Sequence, residues 1–147
     1  MKSVTLAVAL GLLMLSTPAS AQQARDFGDY VIHFNALNTE LLSPQVAQQY
    51  GIRRSSSRAM LNVTVLKKQP DGPGAPVQAT LSGTAKNLTG QIRDIEFREI
   101  EESAEAIYYI GELSVRNLET FDFRVQVQPA GANETFNLQF RQQFYTE

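Results

Sequence analysis

The 147-residue sequence contains no cysteine, no tryptophan and a single histidine, His33. Without cysteine the chain forms no disulfide bond and performs no thiol redox chemistry. Zinc, copper, haem and iron–sulfur sites need several nitrogen or sulfur ligands, which this composition does not supply within one chain. We therefore expect no metal and no cofactor. A serine nucleophile would have to use His33 as its base, and no G-x-S-x-G motif accompanies it.

An excess of charge of one sign is also absent. The chain has 13 Lys and Arg residues against 15 Asp and Glu residues, for a formal net charge of -2 at pH 7. A weakly acidic protein of this kind has no overall field that attracts nucleic acid or an anionic membrane. We therefore expect no nucleic-acid partner.

Long hydrophobic runs are confined to the N-terminus. Lys2 precedes an apolar run from Val4 to Leu15, which is shorter than the roughly 20 residues that a membrane-spanning helix needs. Ala19-Ser20-Ala21 follows as a small-residue cleavage site. The pattern predicts a cleavable signal peptide over residues 1–21, cut after Ala21, with an uncleaved anchor helix as the alternative. The mature chain, residues 22–147, is then one cysteine-free domain without a membrane span, which favours the bacterial periplasm.

Most of the mature sequence alternates between apolar and polar side chains, which is the period of a half-buried β-strand. Tyr30, Ile32 and Phe34 share one face of an early example, and a run of four apolar residues at 107–110 suits a central strand. The Pro- and Gly-rich segment 70–76 predicts an exposed turn. The seven predicted strands centre on residues 30–35, 61–65, 77–81, 95–97, 107–110, 121–128 and 136–141.

One segment has the signals of a helix instead. Ser43 is suited to the N-cap, Pro44 to the first turn and Gly51 to the position after the C-terminus. Seven strands in one open sheet would leave apolar side chains in water. The sequence therefore predicts an all-β fold, an immunoglobulin- or fibronectin-III-like antiparallel β-sandwich with a short helical insertion after the first strand. A small closed β-barrel is the alternative.

Two charged segments are candidates for chemistry. Glu99 and Glu101 share a strand face, where two carboxylates perturb each other, although charges on a solvated hairpin serve equally to protect a sheet edge. The segment Arg53-Arg54-Ser55-Ser56-Ser57-Arg58 combines guanidinium and hydroxyl groups that can hold a carboxylate or phosphate. A polar connection whose arginines pair with acids on neighbouring strands is the simpler interpretation, and we favour it.

Several long phrases are distinctive: FGDYVIHFN at 27–35, LSPQVAQQYGI at 42–52, AIYYIGE at 106–112 and FRQQFY at 140–145. Together they resemble a family of small exported proteins of Gram-negative bacteria, domain of unknown function 4426. The resemblance spans essentially the whole mature chain. It implies a periplasmic β-rich domain without assigned activity, and it carries over no catalytic residue.

Two classes of function remain open from the sequence. We favour a non-enzymatic periplasmic domain that binds a protein or an envelope component. Its candidate surface comprises His33, Asn35, Tyr50, Arg53 and Arg54, on the first predicted strand and around the helix. The alternative is a small-ligand-binding or hydrolytic enzyme that uses the arginine segment with His33 or with the Glu99/Glu101 pair.

Overall fold

The structure is a computed structural model that describes residues 23–103 and 105–147. The predicted signal peptide and its cleavage site after Ala21 lie outside the described residues. The elements in chain order are β1 (Gln23–Asp26), β2 (Tyr30–Asn38), a 3-10 turn (Thr39–Leu41), α1 (Pro44–Tyr50), β3 (Arg58–Lys67), β4 (Ala75–Pro76), β5 (Ala79–Asn87), β6 (Ile92–Ile95), β7 (Arg98–Ser103), β8 (Ala106–Ser114), β9 (Glu119–Pro129) and β10 (Phe136–Phe144).

The strands form two antiparallel sheets. One has the order β1-β2-β3-β8-β7, with β4 beside one end of β3, and the other has the order β10-β9-β5-β6. The two sheets remain separate within the described chain, so the alternative of a closed barrel is wrong. The predicted all-β sandwich is confirmed.

The core lies between the two sheets because alternate side chains of both point inward. Phe34 on β2 and Phe121 and Phe123 on β9 are fully buried there. The ring of Phe140 on β10 lies 4.6 Å from the rings of both Phe34 and Phe123. The buried residues of β9 are the alternating apolar residues seen in the sequence, and the residues between them face solvent.

Three short strands were not predicted from the sequence, each for an identifiable reason. The β1 residues Gln23–Asp26 are all exposed, so the strand has no apolar alternation to reveal it. Most of β7 is likewise exposed and acidic, as expected of an edge strand. Segment 70–76 was expected to be wholly a turn, yet Ala75 and Pro76 pair with Lys67 and Leu66 as β4. A proline is tolerated in this strand because β4 pairs with a single neighbour, β3.

The predicted strand around residues 95–97 is instead a crossing between the sheets. Ile95 ends β6 in one sheet, and Phe97 lies before β7 in the other. Gly111 makes room for this crossing, because a Cβ atom there would stand 2.3 Å from Cγ2 of Ile95. The crossing thus packs directly on β8.

The predicted helix is confirmed at its expected position. The Oγ of Ser43 accepts a hydrogen bond from the amide of Val46 at 3.2 Å, and Gly51 ends the helix in the left-handed conformation at φ 66. The helix follows β2, since the exposed β1 precedes the strand that the sequence placed first. No helix in the described ranges is long and apolar enough to cross a membrane.

Candidate functional site

Two of the predicted site residues lie side by side on the outer face of the six-stranded sheet. His33 and Asn35 are half-buried on β2, where they face Thr64 and Asn62 of β3. The Oδ1 atom of Asn62 is buried and has no hydrogen-bond partner among the described residues. This part of the sheet therefore presents a short ladder of polar side chains.

Tyr50 lies over the same outer face, at the C-terminal end of α1. Its ring lies 6.4 Å from that of Tyr108, and its hydroxyl donates a hydrogen bond to Glu102. Burial, followed by the hydrogen bond to Glu102, raises the pKa of Tyr50 to about 12. Arg98 donates to the carbonyl of Tyr50 at 2.9 Å. These contacts hold Tyr50 in place as an anchor of the helix.

The arginine segment follows α1 and lies at one end of the sandwich. Arg54 donates to the carbonyl of Glu40 at 3.0 Å, and the carbonyl of Arg53 accepts from the Thr39 hydroxyl at 2.8 Å. Arg58, by contrast, lies on β3 and pairs with Glu112 at 3.6 Å. The three guanidinium groups therefore do not converge on one site.

The acidic pair lies on the opposite face of the six-stranded sheet from His33. Glu99 accepts a hydrogen bond of 2.6 Å from the hydroxyl of Tyr109, whose oxygen accepts from the amide of Ala79 at 2.7 Å. Burial, followed by the hydrogen bond to Glu99, raises the pKa of Tyr109 to about 12. Tyr109 belongs to the core between the sheets, so the sheet itself separates Glu99 from His33.

A different feature, which sequence reasoning missed, stands out at the end of the sandwich where β2, β5 and β10 finish. All the large apolar side chains that are exposed in the described chain lie there, in turns or beside them. We call this set the apolar end; its members and exposed fractions are Leu41 (70%), Leu88 (66%), Ile92 (63%), Leu118 (58%) and Tyr145 (58%).

Hydrogen bonds bring the segments of the apolar end together. Leu41 and Tyr145 line one cleft of about 300 Å³. The amide of Thr146 donates to the side chain of Asn117 at 3.0 Å, which places the C-terminal segment against the turn that carries Leu118. The side chain of Asn87, next to Leu88, donates to Glu119 at 3.0 Å. The apolar side chains therefore occupy adjacent turns.

Leu118 has an unusual backbone conformation. Its φ is 63, and it is the one residue other than glycine with positive φ in the described chain. The left-handed region costs a residue with a branched apolar side chain of order 1 kcal/mol or more, and glycine or asparagine adopts it more easily. A strained, exposed leucine at a turn contributes little to the stability of the fold. A functional role would explain why leucine occupies this position.

Charged side chains of both signs surround the apolar end. Arg53, Arg54 and Arg116 are exposed beside it, and none forms an ion pair within residues 23–103 and 105–147. The acids there are the exposed Glu40 and Glu147, together with Glu119, which accepts hydrogen bonds from Asn87 and from the amide of Arg116. The signal for this surface was present in the sequence, as leucines within the turn segments 87–90 and 116–119.

The family model "Domain of unknown function (DUF4426)" matches residues 24–147. The chain belongs to the DUF4426 family. The resemblance seen in the sequence is thereby confirmed, and no curated protein matches the chain significantly.

Two solved structures are similar to this DUF4426 chain. A crystal structure of a DUF4426 family protein from Pseudomonas aeruginosa has 32% sequence identity and a TM-score of 0.73, and the match covers 84% of this chain and 94% of that one. A copper-bound variant of FetP from uropathogenic Escherichia coli has 11% identity and a TM-score of 0.57, covering 84% and 90%. At that identity the second likeness shows the fold alone. In the described ranges no group of three or more His, Cys, Asp or Glu residues is arranged to hold a metal ion.

Proposed function

We propose that this DUF4426 domain is a non-enzymatic interaction domain of the bacterial periplasm that binds a partner protein at its apolar end. The observation that carries the proposal is Leu118, an exposed leucine held in the left-handed conformation at the tip of the β8–β9 turn. Neither its exposure nor its backbone favours the folded domain. Strain and exposure of this kind are typical of residues kept for binding.

The grouping of exposed side chains supports the same proposal. Single exposed apolar residues are normal on a soluble protein and need no explanation. Here the large apolar residues that are exposed within residues 23–103 and 105–147 are all gathered at one end. An exposed apolar cluster bordered by polar residues is typical of a protein–protein contact.

The charges at the border indicate the chemistry of the partner. Arg53, Arg54 and Arg116 lie at this border together with the exposed acids Glu40 and Glu147. A partner surface with an apolar centre and charges of both signs around it would complement this border and align the two proteins. We therefore propose a protein partner whose apolar patch has a border of mixed charge.

The geometry gives less support to a hydrolase. An acid–base pair must lie within hydrogen-bonding reach of one substrate, whereas His33 and Glu99 lie on opposite faces of a sheet. Glu99 is also engaged by Tyr109, and Tyr50 by Glu102. The residues that an enzyme would need are thus separated or already occupied.

The periplasmic part of the proposal rests on the signal-peptide pattern of residues 1–21. We expect the mature protein in the periplasmic fraction, beginning at Gln22 after cleavage following Ala21. Intact mass measurement of the protein purified from that fraction tests this. A mass that includes residues 1–21, or a protein confined to the cytoplasm, would contradict it.

In-cell photo-crosslinking tests the docking end. A photoreactive amino acid is placed at position 88 or 118 in the apolar end and, as matched controls, at the exposed positions Asn133 and Thr135 at the other end. We expect both test positions to capture the same protein, identified by mass spectrometry, and the controls to capture none of it. Capture of different proteins at 88 and 118, or equal capture at the controls, would refute the proposal.

A further inference from the structure

The outer face of the four-stranded sheet carries a cluster of charges that the proposed function does not use. Lys86 on β5, Asp122 on β9 and Arg141 on β10 stand directly opposite one another in the strand register. Arg124 is two positions further along β9, opposite Gln139. Because alternate residues of a strand share a face, these side chains all point away from the core.

The cluster has more cations than its acid can neutralise. Arg141 donates two hydrogen bonds to the carboxylate of Asp122, from Nε at 2.6 Å and from Nη2 at 3.0 Å. The hydrogen bond from Arg141 and, secondarily, the nearby charges of Arg141, Arg124 and Lys86 hold the pKa of Asp122 below its usual value. Arg141 alone therefore neutralises the negative charge of Asp122.

Lys86 and Arg124 form no ion pair in the described ranges. They are diagonal neighbours on adjacent strands, where backbones are about 7–8 Å apart. Their long side chains can therefore bring the two positive charges close together. Like charges this close oppose folding slightly rather than favour it. A further acid on this face is Asp94 on β6, which borders a neighbouring depression with Arg124. Counting Asp94, the face still has one more cation than acids.

An open cleft of about 680 Å³ lies between this face and the turn 87–90. All three cations line it, together with the hydroxyl-bearing Thr89 and the amide of Gln139, and Asp122 is its only acid. A cavity of this volume is within the range of sites for small ligands. The charge of its lining selects an anion.

We infer that this cleft binds a phosphate or carboxylate group, held by the ammonium group of Lys86 and the guanidinium group of Arg124. Arg124 offers paired N–H donors that fit the oxygens of such an anion, and Lys86 adds a point charge. Gln139, opposite Arg124, has an amide that can donate a further hydrogen bond. The anion is carried either by a free phosphorylated molecule or by a lipid headgroup.

This inference is independent of the proposed docking at the apolar end. The cleft lies on a sheet face and would hold its anion through charged side chains, whereas the apolar end would bind through exposed leucines. Leu88 borders the cleft and also belongs to the apolar end, so the two surfaces are adjacent. Loss of one activity without the other is therefore measurable.

Titration of the mature protein with pyrophosphate, followed by amide chemical shifts in NMR, tests the free-ligand arm. Flotation with vesicles containing phosphatidylglycerol, compared with vesicles of phosphatidylcholine alone, tests the headgroup arm. The test variant combines Lys86→Gln with Arg124→Gln. The control combines Lys67→Gln with Arg25→Gln, which removes the same charge from exposed positions elsewhere. Thermal melts check that both variants fold.

We expect shifts at residues of the cleft with pyrophosphate, or flotation with anionic vesicles, and the arm that responds identifies the source of the anion. The test variant should weaken that binding about tenfold or more, because it removes the two charged side chains that hydrogen-bond the anion. The control should change it less than about twofold. Absence of binding in both arms, or equal loss in test and control variants, would overturn the inference.

Discussion

Replacement of Leu118 by asparagine should relieve backbone strain. Leu118 has φ 63 and is 58% exposed. Asparagine adopts the left-handed region more easily than leucine, by about 1 kcal/mol, because its short polar side chain is accommodated there. The substitution also removes the apolar contacts of the covered part of the leucine, and this loss opposes the gain. A single variant therefore does not isolate the backbone effect.

Leu88→Asn is the matched control. Leu88 is a leucine in a turn with a similar exposure of 66%, but its φ is not positive. The two substitutions lose similar apolar contacts, and only Leu118→Asn relieves strain. We expect Leu118→Asn to be more stable than Leu88→Asn by about 1 kcal/mol, or about 4 °C in Tm for a domain of this size.

Urea unfolding of the two variants and of the unmodified domain, monitored by far-UV circular dichroism, measures this difference. The unmodified domain gives the reference for both substitutions. If Leu118→Asn is no more stable than Leu88→Asn, the left-handed conformation of Leu118 costs no free energy of folding, contrary to this prediction.

Three further predictions concern the fold and its pH dependence. Gly111→Ala should destabilise the domain by about 2 kcal/mol in urea, because the new Cβ would stand 2.3 Å from Ile95, whereas Gly83→Ala, with its nearest atom at 3.1 Å, should cost less. The pKa of Tyr109 is about 12 in the folded state against a usual 10.0, so the folded state holds the phenolic proton more tightly than the unfolded state does. The free energy of unfolding should therefore fall as the pH rises from 10 to 12. Tyr109→Phe should reduce that decline in pH-dependent melts, and Tyr50, whose pKa is also raised to about 12, accounts for the remainder; an unchanged slope would contradict the assignment. Ser43→Ala should cost about 1 kcal/mol through loss of the cap on the amide of Val46, and Ser43→Thr should restore most of it; equal melts for all three proteins would show that the cap is immaterial.

The sequence predicts most of the sandwich because the core strands bury one face each. The alternation of Phe121, Phe123, Val125 and Val127 is read directly as β9, and Ser43 marks the helix by a local hydrogen bond. Local sequence patterns do not predict an element that forms only by pairing with residues distant in the sequence. The exposed β1 has no apolar period, and the crossing at Phe97 has the alternation of a strand although the chain there changes sheets.

The candidate site was less predictable than the fold. A sequence does not show on which face of a sheet a strand residue will lie, so the separation of His33 from Glu99 required the strand register. The apolar end joins turns that are far apart in the sequence, such as those of Leu41 and Leu118. The leucines in those turns were visible, but their adjacency follows only from the packed sheets.

Protein binding at the apolar end can be measured as an affinity. The most direct measurement is the Kd of the protein captured at positions 88 and 118, by isothermal titration, for the unmodified domain, for Leu88→Asn/Leu118→Asn and for the distant control Asn133→Ala/Thr135→Ala. We predict that the leucine variant binds about tenfold or more weakly, since burial of each leucine contributes roughly 1.5 kcal/mol or more, while the control binds as the unmodified domain does. Equal affinity for all three proteins would contradict the account.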